Sequence, residues 1–353
     1  MRKSNQSVTE VISLKFPQTR FQGSKYKLIR WIHKSISDLA FDSVLDGFSG
    51  SGVVSYYFKS LGKEVYSNDI LSSSYITSQA LVENSFTLLT DQEIARLLRF
   101  VSYDDHGHTV EKNFRGVYFT QDENIWIDSM LYNISNLEGE YKRVLAYWSL
   151  FQSCIIKRPF NLFHRKNLSL RMSNVRRKFG NKVTWDRTFT EYFTKFCKQA
   201  NACIFDNKRN NTAINCDISL IQGNFDLIYL DPPYMKSRRS KGTDYQDYYN
   251  FLEGLIDYEN WEKRINLKKK HLPYEIEKSA WIDSELIYDK FSSLFEKFDG
   301  ILVLSYHDLG FPSIKDLTEL LHSVRKNVRT EYLEYQYVLS PQKVTKEALI
   351  IAK

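Results

Sequence analysis

The sequence contains little cysteine and no long apolar run. Its four cysteines, Cys154, Cys197, Cys203 and Cys216, form no Cys-x-x-Cys pair and no finger-like spacing with histidine, which argues against a disulfide framework and a zinc site. No segment approaches the ~18 apolar residues of a membrane span, and the polar segment Met1–Phe16 has no signal-peptide core. We therefore expect a cytoplasmic protein that holds no metal.

Acidic residues are nearly absent from segment 157–187. It contains ten basic residues and the single acid Asp186, a net charge of +9 that leaves the rest of the chain at −2. Aromatic residues are interleaved with the cations, which favours a polyanion-binding groove over the usual solvated basic face. The predicted polyanion contacts are Lys157, Arg158, His164, Arg165, Lys166, Arg171, Arg176, Arg177 and Lys178, with Arg238 and Arg239 in a second basic loop.

The two common phosphate-binding signatures, Gly-x-Gly-x-x-Gly and Gly-x-x-x-x-Gly-Lys-Ser/Thr, are also missing. The sequence has instead a predicted strand at Ser43–Asp46, a glycine-rich loop at Gly47–Gly52 and an apolar helical pattern from Val53. This order opens a Rossmann-like unit whose ligand is neither a dinucleotide nor ATP. Asp46 is placed to hold an ammonium group, and Asp69, after the next strand, to accept from ribose hydroxyls unless it is only a turn residue.

Backbone donors are missing from the turn after a predicted strand at 227–230. The strand should be buried on both faces and end at Asp231, because Pro232 and Pro233 lack an N–H and disfavour helical backbone before them. The turn then presents a carboxylate, backbone carbonyls and the aromatic face of Tyr234. The carboxylate and a carbonyl could accept the two N–H groups of a planar amine and make its nitrogen a better nucleophile. This arrangement suits methylation of the adenine amino group, with Tyr234 stacked on a flipped-out base. The alternative is a buried strand and an ordinary proline turn.

Composition and periodicity divide the chain into three parts. Residues 1–20 are expected to form a leader, residues 21–90 and 206–353 a sheet domain, and residues 91–205 a mainly helical insertion that carries the basic segment.

Three local predictions complete this division. A helix should run from Lys25 to about Ala40 with Ser24 as its cap. Asp217 ends a predicted strand, where it either contacts an adenine amino group or caps a short helix. Alternation over 329–338 and 347–352 predicts a closing antiparallel hairpin.

Taken in order, these motifs resemble the Dam-like (α-group) DNA adenine methyltransferases. The family's entrance motif, glycine loop, target-recognition insertion and Asp-Pro-Pro-Tyr motif correspond to Gln22–Lys25, Asp46–Gly52, the insertion ending near 205, and Asp231–Tyr234. The resemblance implies an α/β fold, with a Rossmann-like S-adenosylmethionine-dependent methyltransferase sheet and a helical target-recognition insertion. It also implies site-specific methylation of the N6 amino group of a flipped-out adenine in double-stranded DNA, in association with restriction-modification. The sequence leaves open whether a cognate restriction endonuclease is a partner.

The resemblance assigns roles to residues as well. Its implied cofactor is S-adenosylmethionine, with contacts from Phe21, Gln22, Gly23, Lys25, Asp46, Phe48, Gly50, Gly52, Asp69, Asp217 and Asp231. The implied catalytic residues are Asp231, Pro232, Pro233 and Tyr234. The chain departs from the family at His307-Asp308, where an Arg-Ser-like pair is expected, and at the entrance, where Gly23 stands without a second glycine.

Two other functions fit parts of the pattern. Related proline motifs serve enzymes that methylate amines of RNA or of protein glutamine, although the basic insertion favours DNA. A non-catalytic nucleic-acid-binding subunit on a methyltransferase fold is the second, and the intact Asp46, Asp69, Asp231 and Tyr234 argue against it.

Overall fold

A computed structural model describes residues 14–17, 19–173, 182–235, 237, 245–276, 279–335 and 345–353. Its central element is a mixed sheet in which seven strands have the order β3-β2-β1-β4-β5-β7-β6. The strands are β1 Ser43–Asp46, β2 Glu64–Asn68, β3 Thr212–Ile214, β4 Leu227–Leu230, β5 Ile301–His307, β6 Val328–Tyr335 and β7 Thr345–Ala352. The first five in spatial order are parallel, and β7 runs antiparallel to both β5 and β6.

The order of the strands creates a ligand site at one edge of the sheet. From β1 the chain winds outward to β2 and β3, then returns to place β4 on the other side of β1. A crevice opens at such a reversal, outside the carboxyl ends of the parallel strands. The ends of β1 and β4 at this crevice are Asp46 and the Asp-Pro-Pro-Tyr turn.

Helices cover both faces of the sheet. They are α1 Ile29–Ile36, α2 Val53–Ser60, α3 Ser72–Ser78, α4 Asp91–Leu97, α5 Thr109–Asn113, α6 Gln121–Ser135, α7 Glu140–Ile156, α8 Leu168–Met172, α9 Lys182–Asp186, α10 Phe189–Asn201, α11 Tyr245–Ile256, α12 Ile287–Lys297 and α13 Ile314–Val324. A π-helical turn, Gln79–Glu83, continues α3. Short 3-10 helices occur at Lys25–Leu28, Tyr103–Asp105, Pro159–Asn161, Ile218–Leu220, Trp261–Arg264 and Ala280–Ile282.

The side-chain alternation of β4 explains how one strand serves two cores. All four of its residues are buried. Leu227 and Tyr229 enter the apolar cluster that includes the helices of residues 91–205, whereas Ile228 and Leu230 enter the cluster beneath α12 and α13. A continuous apolar run is therefore required of this strand.

Three helices of residues 91–205 begin with the same sequence device. Thr90, Thr120 and Thr188 each cap a helix, and a glutamate three residues later bonds back to the cap, giving complete capping boxes for α4, α6 and α10. Each box satisfies two backbone N–H groups that a helix start otherwise leaves open, and one cap stabilises by ~1 kcal/mol. These helices share a continuous apolar cluster with one face of the sheet; the division at residues 91 and 205 stays a prediction.

The predicted α/β fold is confirmed, including the strands after residues 42, 63 and 226 and the antiparallel pairing of the last two strands. Ser24 does not cap the first helix, because its hydroxyl lies 3.1 Å from that of Ser51 instead. In the described parts of the chain, no helix is long and apolar enough to cross a bilayer.

Candidate active site

A cleft lies at the carboxyl edge of the sheet, where the sequence motifs meet. Ten residues of the predicted cofactor set line it: Phe21, Gln22, Gly23, Lys25, Asp46, Phe48, Gly50, Asp69, Asp217 and Asp231. Pro233 also lines the cleft. Gly52, Pro232 and Tyr234 adjoin these lining residues in the chain, and Gly52 has a φ of 73° where the loop turns into α2.

Lys25, Asp231 and Tyr234 form a compact polar triad at the end of β4. The Lys25 ammonium lies 2.8 Å from Asp231 Oδ1 and donates to the Tyr234 hydroxyl at 2.8 Å. That hydroxyl donates in turn to Asp231 Oδ1 at 2.5 Å. Both donors that reach Asp231 from the described residues thus use one carboxylate oxygen.

The triad has a defined charge distribution. Although burial disfavours the ammonium, the neighbouring Asp231 holds the pKa of Lys25 well above its usual range. Burial, reinforced by Asp231, raises the pKa of Tyr234, so its hydroxyl stays protonated and donates. Lys25 is therefore charged, and it anchors the Asp-Pro-Pro-Tyr turn to the entrance segment 209 residues away.

Asp46 is a buried carboxylate with one oxygen available. Oδ2 accepts a 2.6 Å hydrogen bond from Ser55, while Oδ1 is buried and has no partner among the residues that the structure describes. Burial raises the pKa of Asp46 to about 7. A buried acceptor without a donor is costly, so this oxygen suits a cationic ligand group.

A chain of four serine hydroxyls runs behind Asp46. Ser55 contacts Ser67 at 2.7 Å, Ser67 contacts Ser78 at 2.8 Å, and Ser78 contacts Ser49 in the glycine loop at 3.3 Å. All four serines are buried. The chain connects the carboxylate with the loop through β2 and α3.

Asp69 fixes the glycine loop from the end of β2. Its Oδ2 accepts from the Gly50 N–H at 2.8 Å and its Oδ1 from the Leu71 N–H at 2.9 Å. Burial raises its pKa to about 6. Asp69 therefore shapes the loop and remains on the cleft lining, so its turn role is confirmed and its ligand role stays a prediction.

For Asp217 the sequence leaves two roles open, and the structure shows one of them. Its Oδ1 accepts from the Ser219 N–H at 2.8 Å and caps the 3-10 helix Ile218–Leu220. The residue still lines the cleft. Capping is thus correct, and contact with a ligand stays a prediction.

The entrance segment is held by stacked aromatic rings. Phe21 stacks on Tyr249 of α11 with ring centroids 4.5 Å apart, and the Gln22 N–H donates to the Tyr249 hydroxyl at 2.7 Å. Gly23 has a φ of 81°, and a Cβ atom there would lie 2.5 Å from the Tyr245 hydroxyl. Only glycine fits this approach.

The structure corrects three of the predicted polyanion contacts. Lys157, Arg158 and Arg171 are all buried. Lys157 lies 2.9 Å from the Glu123 carboxylate and Arg171 also pairs with it, while Arg158 donates to three backbone carbonyls. Most of their donors are used inside the protein, and Arg171 Nη1, which has no partner among the described residues, is buried as well. These cations therefore stabilise the fold and do not face a polyanion.

Of the other predicted contacts, three lie in the described part of the chain and five lie outside it. Arg165 and Lys166 are exposed, and His164 is half-buried with its ring 5.3 Å from that of Tyr248. Five predicted contacts lie outside the described residues: Arg176, Arg177, Lys178, Arg238 and Arg239.

Sequence reasoning missed part of the cleft wall. Ser279, Trp281 and Ile282 line it, and Trp281 packs edge-on against Phe48 with centroids 5.0 Å apart. They lie in a charged, irregular region without a motif, and the only local signal is Ser279, which caps the 3-10 helix. Tyr245, at the start of α11, also lines the cleft.

The loop that departs from the family pattern lies beside the triad. The His307 ring is 6.1 Å from the Tyr234 ring, and its Nδ1 lies 3.4 Å from Asp308 Oδ1. Elsewhere, the described residues contain no group of three or more His, Cys, Asp or Glu side chains suited to a metal ion.

Comparison with known proteins agrees with this geometry. Residues 21–299 match the family model described as D12 class N6 adenine-specific DNA methyltransferase. The chain is 27% identical over 316 residues to type II methyltransferase M2.HphI of Haemophilus parahaemolyticus, covering 87% of this chain and 88% of that protein. It is 27% identical to modification methylase StsI of Streptococcus sanguinis, of which the match covers 46%, and 22% identical to type II methyltransferase M.NlaIII of Neisseria lactamica, of which it covers 91%.

Proposed function

The chain belongs to the D12 class of N6 adenine-specific DNA methyltransferases, and from this premise we propose that its cleft binds S-adenosylmethionine beside a flipped-out adenine. The enzyme methylates the N6 amino group of adenine in DNA. What we add is the assignment of cofactor and residues. The observation that carries it is a buried, unpartnered carboxylate oxygen, on Asp46, in the same cleft as the Lys25–Asp231–Tyr234 triad.

The cleft residues fit the donor set of S-adenosylmethionine. Asp46 Oδ1 is a buried acceptor that an ammonium group would satisfy. Asp69 and Asp217 each keep acceptor capacity beyond the backbone N–H groups they already bind, since a carboxylate has about four lone-pair sites. We assign Asp46 to the methionine ammonium, Asp69 to the ribose hydroxyls and Asp217 to the adenine amino group, with Phe21–Gly23, Phe48 and Gly50 closing around them. The cofactor would supply an electrophilic methyl group on a sulfonium.

The Asp-Pro-Pro-Tyr turn would bind the target adenine. The amino nitrogen of adenine is a poor nucleophile while its lone pair is shared with the ring. We propose that Asp231, through the oxygen that the triad leaves open, and a backbone carbonyl of the turn accept its two N–H groups and favour a pyramidal nitrogen. Pro232 and Pro233 keep the turn free of competing donors.

Lys25 would keep this acceptor in place. It fixes Asp231 Oδ1 and the Tyr234 hydroxyl from one side, which orients the Tyr234 ring for stacking with the base. Stacking on an aromatic side chain contributes ~1–3 kcal/mol per base and offsets part of the cost of extruding it. Positioning of this kind supplies most of the rate gain, and no covalent enzyme intermediate is needed.

The substrate and biological context follow from the relatives. Their names describe type II methyltransferases and a modification methylase, which supports a restriction-modification role and a cognate endonuclease for this chain. We propose that DNA phosphates are bound by His164, Arg165 and Lys166, together with Arg176, Arg177, Lys178, Arg238 and Arg239.

The decisive experiment is mass spectrometry of nucleosides from DNA incubated with the protein and S-adenosylmethionine. We expect N6-methyladenine from the wild type, and a loss of about 10²–10³-fold in turnover for Asp231→Ala, the scale for removing one polar group that stabilises the reacting centre. Asp231→Asn, which keeps an acceptor for Lys25, should lose turnover without loss of the fold.

Asp299→Ala is the matched control, because Asp299 is exposed and precedes β5 at the opposite edge of the sheet. Binding of S-adenosylhomocysteine should stay within a few-fold of wild type in all three variants. Equal loss of binding and turnover in Asp231→Asn would show that this residue serves the cofactor and that our assignment is wrong.

A further inference from the structure

Two basic segments more than a hundred residues apart in sequence lie side by side next to the cleft. The first is His164–Lys166, and the second is Lys268–His271, in a turn between α11 and α12. We call the two together the paired basic surface.

A buried tyrosine joins the two segments. The Tyr118 hydroxyl lies 2.8 Å from the carbonyl oxygen of Phe163 and 2.5 Å from that of His271, so both segments share its one proton. Arg158 holds the first segment from below, since it donates to the carbonyls of Leu162 and Arg165. The buried arginine that the sequence suggested as a DNA contact therefore shapes the loop that is exposed.

The lysine turn is a built element and not a loose charge run. An antiparallel bridge pairs Ile265 with Tyr274, and the Asn266 N–H donates to the Pro273 carbonyl at 2.9 Å. The Asn266 side chain accepts from the Lys268 N–H at 3.0 Å. Leu272 closes the turn with a φ of 52°. Such a hairpin presents Lys268, Lys269 and Lys270 to solvent in a fixed arrangement.

The first turn of α11 connects this surface with the cleft. The Phe163 N–H donates to the Tyr248 carbonyl at 2.9 Å, and Tyr248 faces His164. Three residues earlier on the same helix, Tyr245 lines the cleft and stacks with Phe21. On this turn of α11, Asp247 lies 3.9 Å from Lys269, with both side chains about half exposed, and an exposed pair of this kind contributes little.

From this arrangement we infer that the paired basic surface binds the phosphates of the DNA strand that enters the cleft, and that Lys268–Lys270 are DNA contacts of this enzyme. Five formal positive charges from Arg165, Lys166 and the three lysines meet here, against two acids, Asp247 and Glu275, and Glu275 already accepts from the Asn266 side chain at 2.7 Å. The inference rests on the proposed function, and it adds a second, distant segment to the DNA interface.

The test compares wild type with the triple variant Lys268→Gln, Lys269→Gln, Lys270→Gln. Binding of a mixed-sequence duplex of about 30 base pairs is measured by fluorescence anisotropy at a series of salt concentrations. Each phosphate contact adds about 0.9 to the slope of log affinity against log salt. We expect the slope to fall by about 2–3 and the affinity at low salt to fall tenfold or more. Binding of S-adenosylhomocysteine and the melting temperature should not change.

The matched control is the triple variant Lys34→Gln, Lys315→Gln, Lys326→Gln, which removes the same charge from exposed lysines on α1, α13 and the segment after α13. It should keep the wild-type slope. An unchanged slope in the Lys268–Lys270 variant, or an equal fall in both variants, would overturn the inference. If the wild type methylates DNA while either of these results is found, only this inference fails. If the wild type itself leaves adenine unmodified, the proposed function fails.

Discussion

Two regions of this protein that contain buried charges treat them differently. Beneath the basic segment, Glu123 is shared by Lys157 and Arg171, and Arg158 donates to three carbonyls. In the cleft, Asp46 keeps a buried oxygen without a donor, and burial raises its pKa to about 7.

The difference separates charges that stabilise the fold from charges to which we assign a ligand. Although burial opposes ionisation, hydrogen bonds from Arg171 and Lys157 hold the pKa of Glu123 below its usual value. The two cationic partners of Glu123 outweigh its burial, whereas the neutral donors near Asp46 do not outweigh the burial of that carboxylate. A raised pKa does not by itself mark an open carboxylate, because Asp69 has a raised pKa with both oxygens bonded; Asp46 differs from it by a buried Oδ1 without a partner among the described residues.

The largest effect on stability should come from removing the carboxylate that Lys157 and Arg171 share. Glu123→Gln leaves Lys157 and Arg171 buried beside a neutral group, and loss of one partner from a buried pair costs about 3–5 kcal/mol. Urea unfolding should show this loss at pH 7. Because the folded pKa of Glu123 is depressed, its contribution exists above the unfolded pKa and disappears as the pH falls through the folded pKa.

Glu191→Gln provides the control for that prediction. Glu191 occupies the same third position of a capping box, on α10, but it is exposed and no ion pair is recorded for it among the described residues. Its replacement should have a small effect. Equal destabilisation by both variants would mean that the capping box, and not the buried pair, accounts for the loss.

An intermediate effect, on ligand affinity, is expected from replacing Asp46 in the cleft. Asp46→Asn should weaken binding of S-adenosylhomocysteine about 10–100-fold, because a hydrogen bond to a charged group contributes ~1.5–3 kcal/mol. The ligand-free protein should be as stable as wild type or more so, since the variant removes a buried group that resists ionisation. Isothermal titration calorimetry and thermal melts would measure both, with Asp42→Asn, an exposed carboxylate just before β1, as the reference. A large loss of stability would place Asp46 with the structural charges.

The smallest effect concerns pH. The raised pKa of Asp46 means that its ionisation destabilises the ligand-free fold as the pH rises from the unfolded value towards about 7. An ammonium ligand needs the ionised form, so affinity for S-adenosylhomocysteine should increase about tenfold between pH 6 and pH 8. Asp46→Asn should flatten this profile between pH 6 and pH 8. A wild-type profile that is already flat would remove Asp46 from the ammonium site.

Much of the sheet was predictable because its signals are local. Leu227–Leu230 are apolar without interruption and stop at Asp231 for a covalent reason, the missing N–H groups of two prolines. The glycine loop after β1 is equally local. These two stretches fixed the edge of the sheet at which the cleft lies.

The errors arose where a residue's partner is distant in sequence. The charge of Lys157 is visible in the sequence, but its burial depends on Glu123, which precedes it by 34 positions and belongs to another helix. Trp281 lines the cleft only because the chain after α11 returns to Phe48. Neither contact has a spacing rule that a single sequence could reveal.

The serine chain behind Asp46 has a direction. A hydroxyl can donate to either neighbour, so the row Ser55, Ser67, Ser78 and Ser49 has two opposite polarities of nearly equal geometry. An ionised Asp46 can only accept, which commits Ser55 to donate to it and orders the other three hydroxyls in sequence. The charge state of Asp46 thus sets the direction of all four hydroxyl dipoles, including that of Ser49 in the glycine loop that lines the cleft.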